Sequence, residues 1–297
     1  MDCNNDSSDE KNCEMLSKKG EDFSTYDKTI IPRSNHTQSL EVFVALEVSD
    51  ILKIGKKSPF VVCKVCKLFF LVDDDMSVEV RFKLMLSWFD ANVKWINLKD
   101  DNNLNILSKD SVNLLWMPQI SFENTDGINN LMIDEFTLVS INKSSDGQIL
   151  QYPDEVDIQE YFLSSQNPIE YERKYHQILF CEFKFFWYPF DKQICGIRLK
   201  LFDSIANDVT LIPTIINYTG DQELLQFNVI NWNLIKLEGG AIEGQLTFQR
   251  NYVNHFATTF LPSFCILLIS LCTLHFKSEH FKTSVPVTIT SMLGKNF

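Results

Sequence analysis

Apolar and polar residues alternate along the stretch "MSVEVRFKLMLSW", with Val78, Val80, Phe82, Leu84, Leu86 and Trp88 at every second position. Successive side chains of a strand point to opposite faces, so this period predicts a strand with one face buried. The segment "CGIRLKLF" repeats it through Ile197, Leu199 and Leu201. The β pattern runs from Phe60 to Phe248 and is broken by the turn signals "NTDG", "SSDG" and "YTGD". A mainly β chain is expected over residues 58–250, folded as an immunoglobulin-like antiparallel β-sandwich of short strands. No internal repeat or low-complexity run interrupts it. Residues 14–57 are polar and mixed in charge and read as a linker.

The pattern changes at "FATTFLPSFCILLISLCTLHF", residues 256–276, which carries no formal charge. A run of that length crosses about 30 Å of hydrocarbon and predicts a transmembrane α-helix over 253–277. Pro262 falls near its outer end, where a neighbouring helix or water can satisfy the freed carbonyl. Lys277 and Lys282 follow it, which places that end in the cytoplasm, the preceding domain outside, and the chain in the plasma membrane against lipid. A second apolar stretch starts within residues 283–297 and, at roughly ten residues, is too short to span a bilayer.

Composition narrows the function. The chain has 297 residues, 45% of them apolar, and a formal charge of −12. That content supports one or two cores, and the acidic balance offers no basic face to a nucleic acid. The start, "MDCNNDSSDEKNC", shows neither the basic nor the apolar region of a signal peptide. Sequons at Asn5, Asn35, Asn142 and Asn217 suit a secreted chain. The five histidines are scattered, none of them in a hydrolase motif, so no enzyme is expected. Cys63 and Cys66 sit three apart in a strand pattern, facing opposite sides, with no second pair to complete a zinc site. Cys265 and Cys272 read as small apolar fillers of the membrane helix.

The richest stretch is "CEFKFFWYPFDKQIC". A disulfide closing a loop of that length would restrain the unfolded chain by about 3 kcal/mol, which does not by itself call for an apolar tip of Trp187, Tyr188, Pro189 and Phe190 ending in one acid, Asp191. Such a tip is made to press on another surface, and a membrane domain begins some 60 residues later. The cysteine spacing, the Pro-Phe-Asp core and the downstream helix together resemble the signature loop of the pentameric Cys-loop ligand-gated ion channels. Other landmarks follow in that family's order. Trp88-Phe89-Asp90 resembles its W-x-D, and "LWMPQISFENTDG" its W-x-P segment with Asn124 and Asp126-Gly127. Ser145-Asp146-Gly147 resembles the turn of its next hairpin, and "QRNYVNHFATTFLPSF" the junction at which an arginine, here Arg250, precedes the first membrane helix. "SVPVTITSML" resembles the inner start of the pore-lining helix. The pattern is closest to divergent arthropod anion-channel-like subunits. A separate piece, Asp6, Ser8, Asp9, Glu10 and Cys13, resembles the second half of a low-density-lipoprotein receptor class A module over residues 1–13.

The resemblances imply specific roles. Cys181 and Cys195 are paired; Tyr188, Pro189, Phe190, Asp191 and Arg250 couple ligand binding to the pore. A small-molecule or ionic agonist sits between subunits of a homo- or heteropentamer, against Lys83, Glu123 and Phe202. The turn "LEGGAIEG", residues 237–244, closes over it, and its lack of aromatics and of an adjacent cysteine pair departs from the amine-binding members. Asp6, Asp9 and Glu10 would be calcium ligands if the module were complete, and no other cofactor is expected. Around Ser284, Val285 and Pro286 there is neither the glutamate of the family's cation channels nor the Ala-Arg that follows the proline in many of its anion channels, and the missing acid favours anions. Glycans are expected at Asn35, Asn142 and Asn217. The half-module and the abrupt "GKNF" lead to the expectation of an incomplete subunit. The alternative is a membrane-tethered ligand-binding or dominant-negative decoy without conduction.

Overall fold

The computed structural model describes residues 14–17, 26–32, 39–56, 76–125, 137–150, 159–203, 205–274 and 286. Asp6, Asp9, Glu10, Asn5, Asn35, Cys63, Cys66, Asp126-Gly127, Lys277, Lys282, Ser284 and Val285 lie outside them.

The fold is mainly β. In chain order the strands are β1 (Glu14–Ser17), β2 (Leu40–Lys56), β3 (Met76–Trp88), β4 (Val93–Ile96), β5 (Ile120–Phe122), β6 (Thr137–Ile141), β7 (Gln148–Leu150), β8 (Gln159–Leu163), β9 (Ile169–Cys181), β10 (Lys192–Leu201), β11 (Val209–Tyr218), β12 (Phe227–Lys236) and β13 (Ile242–Arg250). They form a five-stranded sheet in the order β11-β2-β3-β9-β6 and two four-stranded sheets, β12-β13-β10-β5 and β1-β4-β8-β7.

The alternation in β3 is met in full. Val78, Val80, Phe82, Leu84, Leu86 and Trp88 are all buried, as are Ile197, Leu199 and Leu201 of β10. Phe82 of β3 stacks on Tyr175 of β9 at 5.4 Å and meets Phe122 of β5 edge-on at 5.7 Å, so rings from two sheets share one core. Trp88 meets Trp116 edge-on at 6.2 Å. At Gly244 in β13 an added Cβ would lie 2.6 Å from Leu46 Cδ1 of β2, so a larger residue there obliges the buried Leu46 side chain to move. Wide apolar burial of this kind is the principal stabilising term of such a sandwich.

Three expectations are corrected. Within residues 14–57, read as linker, β2 is a 17-residue strand paired with both β3 and β11, and Val42, Val44, Leu46 and Val48 are fully buried. Glu41, Glu47 and Lys53, which made the stretch look polar, are not buried with them. The sandwich is not wholly antiparallel, because β11 pairs with β2 in parallel. Ser145-Asp146-Gly147 turns no hairpin: β6 lies in the five-stranded sheet and β7 in another. The Asn167 amide accepts from the Ser144 and Ser145 backbone N–H groups, at 2.8 and 3.1 Å, and holds this crossing segment in place.

The expected single helix over 253–277 is divided. Helix α2 (Tyr252–His255) passes through a π-helical turn (Phe256–Phe260) into α3 (Leu261–Leu274). Pro262 near the start of α3 has no N–H to donate to the preceding turn, and a widened π turn absorbs the misfit. Among the described residues no single helix is long and apolar enough to cross a membrane. The short helix α1 (Lys109–Leu114) is capped at its start by Ser108, whose hydroxyl accepts from the Ser111 N–H.

The residues cluster into two units. One comprises Met1–Phe183, Ile194–Asp221 and Asn231–Leu246; the other comprises Lys184–Gln193, Gln222–Ile230 and Thr247–Phe297.

Candidate functional site

In the first unit, Cys181 at the end of β9 and Cys195 in β10 form a disulfide, their Cα atoms 5.3 Å apart. Nearby, Asn124 stitches the two strands together. Its amide donates to the carbonyls of Gly196 (2.7 Å) and Phe180 (3.3 Å) and its carbonyl accepts from the Arg198 N–H (3.1 Å). The residue that follows the W-x-P segment therefore fixes the base of the loop.

The loop itself belongs to the second unit. Inward and outward residues alternate up its rising arm: Pro189, Asp191 and Gln193 are buried, while Phe190 and Lys192 are exposed. Two turn bonds shape the tip, Tyr188 N–H to the Phe185 carbonyl (3.1 Å) and Phe190 N–H to the Trp187 carbonyl (2.7 Å). The Tyr188–Pro189 peptide bond is cis. Gln193 closes the stem, accepting from the Lys184 N–H and donating to the Lys184 carbonyl, both at 2.8 Å. The tip stays outside: Phe186 is 86% exposed, Trp187 72% and Phe190 66%.

Asp191 is held from below by Arg250, the last residue of β13. The guanidinium donates through Nε to Oδ1 at 2.7 Å and through Nη2 to Oδ2 at 3.0 Å, a two-pronged pair with both side chains buried. The Arg250 N–H also donates to the Asp191 carbonyl at 3.3 Å, and Gln193 Nε2 donates to Oδ2. Burial alone would push the Asp191 carboxyl up, but the bonds from Arg250 and Gln193 outweigh it and hold the group below its ordinary value. Aromatic rings surround the cation. Phe227 lies 4.5 Å and Tyr188 4.9 Å from the guanidinium carbon, distances at which a ring face attracts a cation. Phe190 meets Tyr252 of α2 at 5.3 Å. The buried acid of the loop, Asp191, is therefore engaged within this unit, and the loop presents aromatic surface outward.

The residues expected to meet an agonist are all on outward faces, but in different places. Lys83 on β3 pairs with Glu47 at 3.0 Å and Glu172 at 3.5 Å; the bond it donates to Glu47 raises its ammonium, burial opposes this, and the charges of Glu172 and Glu47 add to the rise. Glu123 and Phe202 sit at opposite ends of the β5–β10 ladder. The Glu123 N–H bonds to the Arg198 carbonyl and the Phe202 N–H to the Gln119 carbonyl. Glu123 lies 4.0 Å from Lys200. The closing turn is shorter than expected: Glu238–Gly240 turns with Gly239 and Gly240 at φ +82° and +81°, and residues 242–244 already belong to β13.

Three participants carried no mark in the sequence reading. Gln193 follows Asp191 by two residues, so strand alternation already places both on one face. Phe227 shows no local signal. Glu243 is a buried acid of β13 that accepts from Arg198 Nε at 2.6 Å, which raises the already basic guanidinium further. Another buried acid, Asp90 of the W-x-D segment, accepts from the Tyr26 hydroxyl at 2.6 Å and from the Asn92 N–H at 2.9 Å, while the same hydroxyl accepts from the Trp116 N–H at 3.1 Å. Tyr26 thus ties the W-x-D and W-x-P segments together. Among the described residues no group of three or more His, Cys, Asp or Glu side chains is placed to hold a metal ion.

Comparison with known proteins adds two findings. Residues 18–228 match the family model of the neurotransmitter-gated ion-channel ligand-binding domain. The match includes Asp191 and stops before Arg250. A gamma-aminobutyric acid receptor subunit beta-like protein of Drosophila melanogaster is 26% identical over 140 residues, covering 44% of this chain and 28% of that protein.

Proposed function

The chain belongs to the neurotransmitter-gated ion-channel ligand-binding domain family, and on that footing we propose that it is the extracellular portion and first membrane segment of a subunit of a pentameric ligand-gated ion channel. The observation that carries the proposal is the loop between β9 and β10. Asp191 is locked onto Arg250, the residue at which the last strand ends, while Phe186, Trp187 and Phe190 remain largely exposed and offer aromatic surface to another partner. A stiff loop joined in this way to the entry of an uncharged run, residues 256–276, is suited to pass a movement of the sandwich to a pore.

In this reading the subunit lies in the plasma membrane with its amino-terminal domain outside, and it assembles as a homo- or heteropentamer. The agonist, a small molecule or an ion, is received between subunits. Glu123 and Phe202 contribute from the sheet that holds β10, and Lys83 contributes from the five-stranded sheet. Similarity to a gamma-aminobutyric acid receptor subunit makes that amino acid the first agonist to try. The absence of an acid around Ser284, Val285 and Pro286 supports permeation by anions. The chain acts without catalysis.

The test is voltage-clamp recording from cells that express the whole subunit containing this chain, perfused first with gamma-aminobutyric acid and then with other amino acids and amines. An agonist-evoked current is expected, blunted in Asp191→Asn at unchanged surface labelling. A normal response from Asp191→Asn would sink the coupling role, and agonist binding without current in the unmodified subunit would establish the tethered binding protein instead.

A further inference from the structure

Two of the sequons fall on described residues, and their surroundings differ. Asn217 is the penultimate residue of β11, exposed between the buried side chains of Ile216 and Tyr218. Its amide makes no hydrogen bond to another described residue, and Thr219, which completes the sequon, is exposed just past the strand end. Among the described strands β11 pairs with β2 alone. Asn142 is placed otherwise. It is half-buried, its Nδ2 donates to Glu170 Oε1 at 2.7 Å, and its Oδ1 accepts from Asn102 Nδ2 at 2.9 Å. Asn102 in turn accepts from the Lys143 N–H at 2.8 Å. A sugar on Asn142 would stand between Glu170 and Asn102 and break a network that fixes the segment after β6.

We infer that Asn217 carries an N-linked glycan and that Asn142 does not; the inference rests on the extracellular placement proposed above. The donor class is an oligosaccharide on a polyprenyl diphosphate. The Asn217 amide nitrogen bonds to the anomeric carbon, the bond from that carbon to the diphosphate oxygen breaks, the amide gives up one proton, and the polyprenyl diphosphate leaves. The folded chain accepts the product at Asn217 because that side chain stands exposed on the outward face of β11 and gives up no hydrogen bond to another described residue. Lys83 lies two strands inward in the same cross-strand row, through Glu47, so the sugar's attachment point is roughly 10 Å from that position.

The experiment expresses the full subunit containing this chain in animal cells and releases glycans enzymatically in heavy-oxygen water, so that each formerly glycosylated asparagine is read by mass spectrometry as a labelled aspartate. Alkylation of the same sample reports whether Cys181 and Cys195 are oxidised. The expected result is an oxidised pair, with occupancy at Asn217 at least about tenfold that at Asn142, and loss of one glycan from Asn217→Gln but none from Asn142→Gln. An oxidised pair with Asn217 unmodified, or with Asn142 occupied to the same degree, overturns the inference while leaving the extracellular reading in place. Free thiols at both cysteines overturn the extracellular reading and the inference with it.

Discussion

Replacing Arg250 with methionine should convert Asp191 from a stabilising group into a destabilising one, with a signature in its pH dependence. Methionine keeps an unbranched apolar stem among Phe227 and Tyr188 but removes both bonds to the carboxylate. Removing one partner of a buried ion pair costs about 3–5 kcal/mol, because the other charge is left without compensation. In the unmodified chain the folded Asp191 sits below its ordinary value, so its contribution is complete above the unfolded value and is lost only as pH falls through the lower, folded one. In the variant the opposing term, burial, becomes dominant. The folded carboxyl then titrates above the unfolded value, and stability is fully present at low pH and lost as pH rises. Each unit of that upward shift makes about 1.4 kcal/mol of the loss recoverable by acid. The assay is urea unfolding of the detergent-solubilised chain, followed by tryptophan fluorescence near neutrality and again in mild acid. With a slope of about 2 kcal/mol per molar urea, the variant midpoint should fall by about 1.5–2.5 M near neutrality and by clearly less in acid. A loss under about 1 kcal/mol, or the same loss at both pH values, would refute the argument.

Other substitutions probe the frame around the loop. Gln193→Ala removes both bonds to Lys184 and should cost about 1–3 kcal/mol and speed amide exchange at Lys184; unchanged exchange would show that the stem closes without it. Gly244→Val forces a side chain to within 2.6 Å of Leu46 Cδ1 and should destabilise the chain by about 1–3 kcal/mol in urea unfolding, whereas an unaltered midpoint would mean that the Leu46 side chain repacks without cost. Tyr26→Phe removes the donor to Asp90, whose carboxyl is raised by burial and partly restored by that hydroxyl. The donor matters most when Asp90 is charged, so the variant should lose more stability near neutrality than in acid; equal losses would contradict the pairing.

Much of the frame was legible in the chain. Strict alternation located β3 and β10, and the cysteine spacing with Pro189, Phe190 and Asp191 located the loop that the structure builds around a buried acid. Strand β2 was equally periodic, with Leu40, Val42, Val44, Leu46 and Val48 at every second position, but its charged outer face and polar flanks made it look like linker. Alternation must be counted before net polarity is weighed. The aromatic enclosure of Arg250 could not be read, because Phe227 and Tyr188 reach it from elements distant in sequence and have no shared local pattern. The same holds for Tyr26, which reaches Asp90 across 64 positions. Pro262 lay in plain view, yet its effect, a π turn dividing the helical run, depends on how the backbone redistributes one missing bond.

The most direct test of the central claim is a double-mutant cycle on gating in the full subunit, with Asp191→Asn, Arg250→Gln and the pair together. Agonist concentration–response curves would be recorded at matched surface expression. If the buried pair transmits the movement, each single variant should shift the half-maximal concentration by about tenfold or more. The double variant should then be no worse than either single one, giving a coupling of about 1.4 kcal/mol or more. Shifts that simply multiply, or single variants that respond as the unmodified subunit does, would contradict the account.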